Sequence, residues 1–459
     1  MKKTIICFWR VVLLCAQSGS LQAQLGTINH DPQDTYGIYL EYDTANHLLY
    51  GTGYLHWNGV DVNRIWQWRN GEFSSLDGGC MGDVCHGLEL QDGELFFSGT
   101  FSGWVNGYEI QHLGRWDGES WHASGEPNAM TYLLKVGDEL WCTGSFDTIG
   151  TEAITKPARY NGAAWEAFEG SLAGGPSPFC GALYQGEYYF GGNFTSPFIL
   201  TEDIIKWDGD EWASVGGGIV NALDAWVNAM AVYQDKLVVG GYFWHPGNLS
   251  RNVRIWNGTT WEGFFPELVT CMNGEVNDLQ VIDGKLYLTG AFRFAGPNTQ
   301  HYAVLIYDGE SLCGIGSAPA SADYGQAFDV TGNADSIFFN TDTRVLSGDS
   351  VNYYAVWPVA NGPDTCVTIP TSMRERRCDA RLSAYPNPAV DEITVELPTK
   401  TAGPVDVAIV DPLGRQVMRY ATQRSKSNRI TLDVRQLATG SYVGRISNGR
   451  PGYFTFMKR

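Results

Sequence analysis

Short apolar and aromatic segments, separated by tight polar turns, recur along most of the chain. In each copy an apolar stretch passes through glycine to a final aromatic residue. The copies are Leu95–Phe101, Leu140–Phe146, Tyr188–Phe194, Leu237–Phe243 and Leu286–Phe292, and an earlier copy with displaced glycines is Leu48–Tyr54. The final aromatic residues are 47, 45, 48, 49 and 49 residues apart. A period of this length indicates a repeat architecture in which each copy is one structural unit.

Each copy is followed by a second aromatic segment that contains a tight turn. These segments are Trp116–Trp121, Tyr160–Trp165, Trp207–Trp212, Trp256–Trp261, Tyr307–Leu312 and the irregular Trp68–Phe73. Their Asp-Gly and Asn-Gly pairs supply the positive φ angles that a two-residue hairpin turn needs. Another turn precedes each glycine-containing strand, as at Asp283-Gly284. Two hairpins per repeat predict a four-stranded antiparallel sheet.

A single four-stranded sheet cannot bury both of its faces, but sheets stacked radially can. Six repeats are clear, and a seventh, degenerate copy is inferred from Gln326 to Trp357. The sequence therefore predicts an all-β protein whose residues 24–360 form a β-propeller of seven four-stranded blades.

The repeat resembles that of the kelch and galactose-oxidase central-domain class of β-propellers. Kelch repeats have a period of about fifty residues with a double glycine after a strand and then an aromatic pair. Gly191-Gly192 and Gly240-Gly241 fit this pattern best, while other copies keep one glycine in place. The resemblance implies the fold and leaves the activity open, because one fold hosts many functions.

The two ends of the chain differ from the repeats. Residues 1–23 have Lys2 and Lys3, an apolar stretch and a small residue at Ala23, which predicts a cleaved signal peptide. Residues 361–383 are predicted as a linker. Residues 384–459 alternate apolar and polar positions in Val405–Asp411 and Ile430–Val434, which predicts a small Ig-like β-sandwich.

The C-terminal segment contains a set of short motifs at characteristic separations. They are Tyr385, Pro386, Asn387 and Pro388, then Gly414 and Arg415, then Gly440 and Tyr442, followed by a basic end. This set resembles the type A sorting domain of the type IX secretion system of Bacteroidetes. The resemblance implies export through the type IX machinery to the outer cell surface or the medium. It further implies removal of the tail and, for some products, attachment to surface lipopolysaccharide. An ordinary Ig-like adhesion module is the alternative.

Charge and composition exclude several classes of partner. The chain has a formal net charge of −19, and residues 1–369 carry 16 Lys and Arg against 42 Asp and Glu. Such a surface does not favour nucleic acid, which requires clustered basic residues. No stretch after the signal peptide is long and apolar enough to span a membrane, so the mature chain is predicted to lack a transmembrane span.

Eight cysteines remain after the predicted signal peptide, and an exported chain permits disulfides between them. Cys80–Cys85 and Cys366–Cys378 are closest in sequence and are therefore the simplest expected pairs. Buried free thiols are the alternative. A zinc site is not favoured, because no C-x-x-C pair occurs.

The loops between second and third strands gather on one face of a propeller and are the expected place for function. Candidate ligand-binding residues there are Trp57, Trp104, Tyr108, Trp244 and His245. Exposed aromatic side chains of this kind bind sugars or peptides, although each can equally pack against a neighbouring loop. His56, His112, His245 and His301 have no metal-binding spacing, and no cofactor is predicted. Structural calcium is possible in acidic loops, but no EF-hand loop is present.

The sequence predicts a secreted or cell-surface binding protein whose long-loop face takes a glycan or protein ligand. One alternative is a secreted polysaccharide hydrolase or lyase, and another is a structural surface-layer component. Copper-oxidase residues cannot be mapped onto the chain, and sialidase boxes are absent. Converging carboxylates near the propeller axis would favour an enzyme, whereas a flat aromatic face without perturbed titratable groups would favour a binder.

Overall fold

The structure is a computed structural model, and it describes the following parts of the chain. They are residues 39–53, 55–57, 60–62, 65–76, 84–105, 108–154, 156–172, 177–195, 202–219, 225–243, 252–264, 275–293, 301–318, 326–342, 345–346, 349–350, 354–363, 365–368, 380–381, 384–396, 405–410, 416–422, 429–447 and 452–459. The predicted signal peptide, residues 1–23, lies outside these ranges. Within them, no helix has the length and apolarity that crossing a bilayer requires.

The first three antiparallel sheets follow one another along the chain. Sheet one has the order β1 (Leu40–Asp43), β2 (Leu48–Thr52), β5 (Ile65–Arg69), β6 (Glu72–Ser75), with a separate hairpin of β3 (Leu55–Trp57) and β4 (Val60–Val62). Sheet two has the order β7 (Val84–Gln91), β8 (Glu94–Val105), β9 (Tyr108–Trp116), β10 (Trp121–Ala123). Sheet three has the order β11 (Thr131–Val136), β12 (Glu139–Gly144), β15 (Lys156–Tyr160), β16 (Trp165–Leu172), with a hairpin of β13 (Thr148–Ile149) and β14 (Glu152–Ala153).

Four further sheets continue the succession. Sheet four has the order β17 (Cys180–Tyr184), β18 (Glu187–Thr195), β19 (Glu202–Trp207), β20 (Trp212–Ser214). Sheet five has the order β21 (Trp226–Tyr233), β22 (Lys236–Tyr242), β23 (Val253–Trp256), β24 (Trp261–Gly263). Sheet six has the order β25 (Val276–Ile282), β26 (Lys285–Arg293), β27 (His301–Tyr307), β28 (Ser311–Ala318), β34 (Thr365–Thr368). Sheet seven has the order β29 (Ala327–Gly332), β30 (Ser336–Thr341), β33 (Tyr354–Pro358), with a hairpin of β31 (Val345–Leu346) and β32 (Asp349–Ser350), and a 3-10 turn Val359–Asn361 follows.

The sheets are arranged around an axis. The first strand of each sheet contacts the first strand of the next, and β29 contacts β1, so the first strands form a closed ring. Each first strand runs from the connection between sheets towards a tight hairpin, and all of these hairpins therefore lie at one end of the axis. The predicted all-β, β-propeller fold is confirmed. The blade count of seven stays a prediction, because sheet seven has three strands among the described residues.

Side-chain contacts between sheets seven and one close the ring. Asp329 Oδ2 accepts a 2.7 Å hydrogen bond from the backbone N–H of Leu40, and the Tyr354 hydroxyl donates to the Thr52 carbonyl oxygen at 2.5 Å. A shared apolar core lies beneath these bonds and consists of Leu40, Leu49, Trp66, Phe73, Phe338 and Tyr354. All four strands of sheet one come from the N-terminal part of the propeller, so the described residues include no strand that belongs to both the first and the last sheet. Side-chain contacts join these two sheets instead.

Glycines permit close approach between neighbouring sheets, as Gly240 illustrates. A Cβ atom at Gly240 would lie 2.6 Å from Val276 Cγ1 of sheet six. Because both strands belong to packed β-sheets, neither backbone can move aside cheaply. The glycines of the repeat therefore serve packing between blades.

We expect Gly240→Val to lower the free energy of unfolding by about 1–3 kcal/mol, because overpacking forces side chains and backbone from their positions. Urea unfolding followed by tryptophan fluorescence measures the change. Val281→Leu is the control, since Val281 is 43% exposed and the change in side-chain volume is made outside the core. Equal effects of the two substitutions would contradict the packing role of Gly240.

The disulfide pairing differs from the expected one. Cys313 of β28 is bonded to Cys366 of β34, its direct cross-strand partner, with Cα atoms 4.0 Å apart. The expected Cys366–Cys378 pair is therefore wrong, because β34 returns from sheet seven to the outer edge of sheet six. Cys80 lies outside the described residues, so Cys80–Cys85 stays a prediction. Cys142 and Cys180 are buried thiols.

The C-terminal segment forms two further sheets. One has the order β35 (Ala380–Arg381), β42 (Gly452–Lys458), β41 (Gly440–Ser447), β38 (Val405–Val410), β39 (Gln416–Thr422), and the other has the order β36 (Ala384–Tyr385), β37 (Glu392–Glu396), β40 (Arg429–Asp433). Side chains of both sheets, such as Ile393, Ile409 and Phe454, share one buried core. The described residues thus form a two-sheet unit, and its Ig-like topology stays a prediction.

Candidate ligand-binding site at the propeller axis

The aromatic candidates from the sequence lie on or beside the connections between second and third strands. Trp57 ends β3, Trp104 lies near the end of β8, and Tyr108 begins β9. These strand ends project at the end of the axis opposite the tight hairpins. The side chains of Trp57, Trp104 and Tyr108 lie outside the described residues, as do Trp244 and His245 entirely, so their ligand-binding role stays a prediction.

The histidines are not brought together as a metal site in the described part of the chain, where no group of three potential metal ligands occurs. His112 lies within β9, and its Nδ1 atom is 3.1 Å from the carbonyl oxygen of Gly99 in the adjacent strand. This contact occupies the ring within its own sheet. The side chains of His56, His245 and His301 lie outside the described residues.

The structure instead brings carboxyl groups together at the axis, on equivalent positions of different blades. Glu41 is paired in register with Tyr50, and Glu89 occupies the same position of the next sheet, opposite Phe96. Asp278 and Asp329 lie on β25 and β29, two residues nearer the start of the first strand. All four side chains are half-buried, so protein surrounds them while they still contact solvent.

Asp278 and Asp329 share a hydrogen bond between their carboxyl groups across the boundary of sheets six and seven. Burial and the neighbouring charge of Asp278 raise the pKa of Asp329 well above its ordinary value. Asp278 accepts hydrogen bonds from two backbone N–H groups, those of Leu279 at 2.7 Å and Val330 at 3.3 Å. Because these donors favour the ionised form of Asp278, we assign the shared proton to Asp329.

Glu41 and Glu89 form a second tier of carboxyl groups. Burial, and then the charge of Glu89, raise the pKa of Glu41 to about 8. Burial raises the pKa of Glu89 to about 7, while the ammonium group of Lys135 opposes this rise. Lys135, in sheet three, also donates a hydrogen bond to the carbonyl oxygen of Leu90 in sheet two. Glu41 and Glu89 therefore both change charge close to neutral pH.

Aromatic side chains lie near the starts of the first strands, and Tyr132 occupies in sheet three the register position that Asp278 occupies in sheet six. The ring centroids of His86 and Tyr132 are 5.1 Å apart, and those of Tyr132 and Phe179 are 6.1 Å apart. This row crosses sheets two, three and four, and Phe179 is 40% exposed. We call His86, Tyr132 and Phe179 the aromatic rim. Together with the four carboxyl groups and Lys135, it forms the axial site.

The sequence analysis did not find the carboxyl groups of the axial site. The propeller region holds many acidic residues, and most of them occupy turns and strand edges. A usable indication was present, because Glu41 and Glu89 fall at the same position before the first hairpin of successive repeats. Asp278 and Asp329 likewise fall at equivalent positions of the last two repeats, but their direct hydrogen bond depends on how sheets six and seven pack.

The sorting motifs are structural parts of the C-terminal unit. The Tyr385 hydroxyl donates to Glu396 Oε1 at 3.1 Å, and Asn387 Oδ1 accepts a 2.9 Å hydrogen bond from the backbone of Met457. Tyr442 is buried, and its hydroxyl donates to the carbonyl oxygen of Ala438 at 2.9 Å. The bond between Asn387 and Met457 joins the start of the unit to its last strand. Gly414 and Arg415 lie outside the described residues.

The fold defines a β-propeller protein with a separate C-terminal sandwich of two sheets. Residues 383–455 match the family described as the secretion system C-terminal sorting domain. The chain therefore carries a type IX sorting domain, interacts through it with the type IX machinery, and is a secreted or cell-surface protein.

Several solved structures are similar to the chain at low sequence identity. YjhT is 10% identical, with 62% of this chain and 96% of that chain covered and a TM-score of 0.37. A fungal alcohol oxidase of the AA5 family in complex with copper is 11% identical, with coverage of 80% and 95% and a TM-score of 0.29. Trypanosoma rangeli sialidase in complex with sialic acid is 8% identical, with coverage of 92% and 90% and a TM-score of 0.28. Similarity at this level carries no argument about function. No protein with curated function matches the chain.

Proposed function

We propose that this protein is a secreted or cell-surface binding protein whose long-loop face takes a glycan or protein ligand. The observation that carries the proposal is the aromatic rim, a row of half-buried and exposed rings on the first strands of neighbouring sheets. Flat rings with polar edges are effective ligand contacts because they bury a large area at low entropic cost. The predicted residues Trp57, Trp104, Tyr108, Trp244 and His245 would extend the same face.

The role of the carboxyl groups favours binding over catalysis. Asp278 and Asp329 accept backbone hydrogen bonds from neighbouring blades, and a backbone N–H of Leu90 binds Glu41. These carboxyl groups thus hold the blades together, and a group committed in this way is poorly placed to attack a substrate.

A secreted polysaccharide hydrolase or lyase is the second candidate. It is favoured by one observation, the raised pKa values of about 8 for Glu41 and about 7 for Glu89. An acid that titrates near neutral pH is suited to proton transfer. A structural surface-layer component with no small ligand is the third candidate.

The proposal also includes the class of β-propeller, the domain boundaries and the processing of the two ends of the chain. We propose a kelch-like propeller of seven blades over residues 24–360, a linker at 361–383 and a sorting unit at 384–459. We also propose removal of residues 1–23 as a signal peptide and, after loss of the tail, attachment to surface lipopolysaccharide as one destination. No resident cofactor is proposed.

Binding of the mature full-length chain to arrayed glycans and peptides, with product analysis of every bound ligand, tests the proposal. We expect binding without turnover and a loss of affinity in Phe179→Ala, at the rim. Val281→Ala is the matched control, because Val281 is similarly exposed at the opposite end of its first strand. Turnover that disappears in Glu89→Gln would overturn the binding proposal in favour of the hydrolase or lyase.

A further inference from the structure

We propose that Trp226 and Tyr242 of sheet five form a stacking platform for a neutral pyranose ring of a glycan. This inference rests on the proposed binding function and specifies a subsite on the long-loop side and the class of sugar that it takes. The sugar would lie with its C–H face on the free face of the Tyr242 ring, and Glu275 of sheet six would hold the platform in place.

The two rings of the platform form a stacked pair on one sheet. Trp226 begins β21 and Tyr242 ends β22, and the two residues are direct cross-strand partners. Their ring centroids are 4.8 Å apart, with an angle of 26° between the ring planes, so the indole supports one face of the phenol ring. Tyr242 is 46% exposed, which leaves its other face open to solvent.

The repeat itself does not require an aromatic residue at position 242. Five copies contain a glycine, one variable residue and a final phenylalanine, and Tyr242 is the variable residue of the fourth. The other four copies have Thr100, Ser145, Asn193 or Ala291 there. A short side chain therefore satisfies the packing of a blade at this position, and the exposed ring of Tyr242 adds little to the core. Ligand contact accounts for an exposed ring that blade packing does not explain.

A carboxylate of the neighbouring sheet fixes the orientation of the indole. Trp226 Nε1 donates a 3.0 Å hydrogen bond to Glu275 Oε2, across the boundary between sheets five and six. Asn228 of β21 donates a second bond across this boundary, at 3.0 Å to the carbonyl oxygen of Val276. Because these bonds hold the platform in one conformation before a ligand arrives, binding costs little side-chain entropy. The Oε1 atom of Glu275 has no hydrogen-bond partner in the described ranges, so it can accept a bond from a sugar hydroxyl.

The shape and the charge of the platform favour a neutral sugar over other ligands of aromatic side chains. Organic cations are held best by several rings that surround them, whereas two nearly parallel rings present one flat face. A pyranose ring with equatorial hydroxyl groups carries axial C–H groups on its faces and matches such a surface. Residues 1–369 carry 16 basic against 42 acidic side chains, which disfavours an anionic sugar. The platform therefore fits a neutral glucan or xylan chain.

Calorimetric titration and saturation-transfer NMR of the mature full-length chain test the inference. The probes are cellohexaose and xylohexaose, which are neutral β-linked chains with equatorial hydroxyl groups. The matched charged probe is the β-linked glucuronate hexamer, which has the cellohexaose backbone with a carboxylate on each ring. We expect both neutral chains to bind, with saturation transferred mainly to ring C–H protons. The glucuronate chain should bind about tenfold more weakly, because the acidic surface repels it.

Variants of the platform locate the subsite. Tyr242→Thr introduces the residue found at Thr100 of the second copy, so it should fold, and we expect it to weaken both neutral chains by about three- to tenfold. Tyr242→Phe keeps the ring and should keep most of the affinity. Glu275→Ala should weaken binding, whereas Glu275→Gln, whose amide oxygen still accepts from the indole, should restore most of it. Leu183→Ala is the control, because Leu183 is 40% exposed near the tight hairpin of its own sheet.

The outcomes separate this inference from the proposed function. Failure of both neutral chains to bind, or equal affinity of Tyr242→Thr and the wild type, would overturn the stacking platform. If a glycan binds and only Phe179→Ala weakens it, the proposed function stands and the platform is wrong. Binding of arrayed peptides without any neutral glycan would also refute the platform and leave a protein-binding function. Absence of both glycan and peptide binding would refute the platform and the proposed function together.

Discussion

Deleting residues 384–459 is expected to leave the propeller inside the native host, with surface display reduced to background. The sorting domain occupies residues 383–455, and its net positive charge contrasts with the acidic propeller. The four described strands of sheet one and the contacts to sheet seven do not involve the tail, so the propeller should still fold. Immunodetection on intact cells and in cell fractions measures the outcome.

A point substitution tests whether export fails because the sorting domain unfolds, rather than because the chain is shorter. Phe454 is fully buried in the core of the tail, and Phe454→Ala should cost about 3–5 kcal/mol. Such a cost is comparable to the whole stability of a small domain, so export should fail as it does after deletion. Val390→Ala is the control, because Val390 is 57% exposed. Undiminished display of the deleted chain would show that the tail is not needed for sorting.

The stability of the propeller should fall as pH rises through neutrality, and Glu41→Gln should remove much of this fall. Burial raises the pKa of Glu41 from 4.5 to about 8, so the folded state binds more protons than the unfolded state between these values. The contribution of protonated Glu41 to the free energy of unfolding is therefore fully present below about pH 4.5 and is lost as pH approaches 8. Glu89, Asp278 and Asp329, whose pKa values are also raised, act in the same direction.

Between pH 5 and pH 9, we expect the free energy of unfolding of Glu41→Gln to increase by about 2–4 kcal/mol relative to that of the wild type. Urea unfolding followed by tryptophan fluorescence reports the propeller alone, because every tryptophan of the chain precedes residue 358. Glu119→Gln should follow the wild-type profile. A wild-type stability that rises between pH 5 and 9 would contradict the arrangement of acids at the axis.

The repeat could be predicted from the sequence because its signal is local. Asp-Gly and Asn-Gly turns fix the hairpins, and the strands between them follow from apolar and aromatic content. The hairpin between Trp207 and Trp212 lies where its Asp-Gly turn indicates. Sheet seven was harder to predict, because the chain after β33 leaves the sheet and joins sheet six as β34.

The axial site and the disulfide could not be predicted, because both depend on which blades become neighbours. Asp278 and Asp329 fall at equivalent positions of the successive sheets six and seven, and their direct contact depends on how closely these two first strands pack. Cys366 likewise lies closest in sequence to Cys378, yet β34 places it opposite Cys313. The aromatic candidates on the loops remain predictions, since their side chains lie outside the described residues.

The bond between Cys313 and Cys366 determines where mechanical load enters the propeller. Tension on the C-terminal segment reaches Cys366 first and passes through the covalent bond into β28 of sheet six. Sheet seven, which has three described strands and closes the ring by side-chain contacts, is thereby bypassed. A chain pulled by its tail across a membrane would therefore load a five-stranded sheet through a covalent bond.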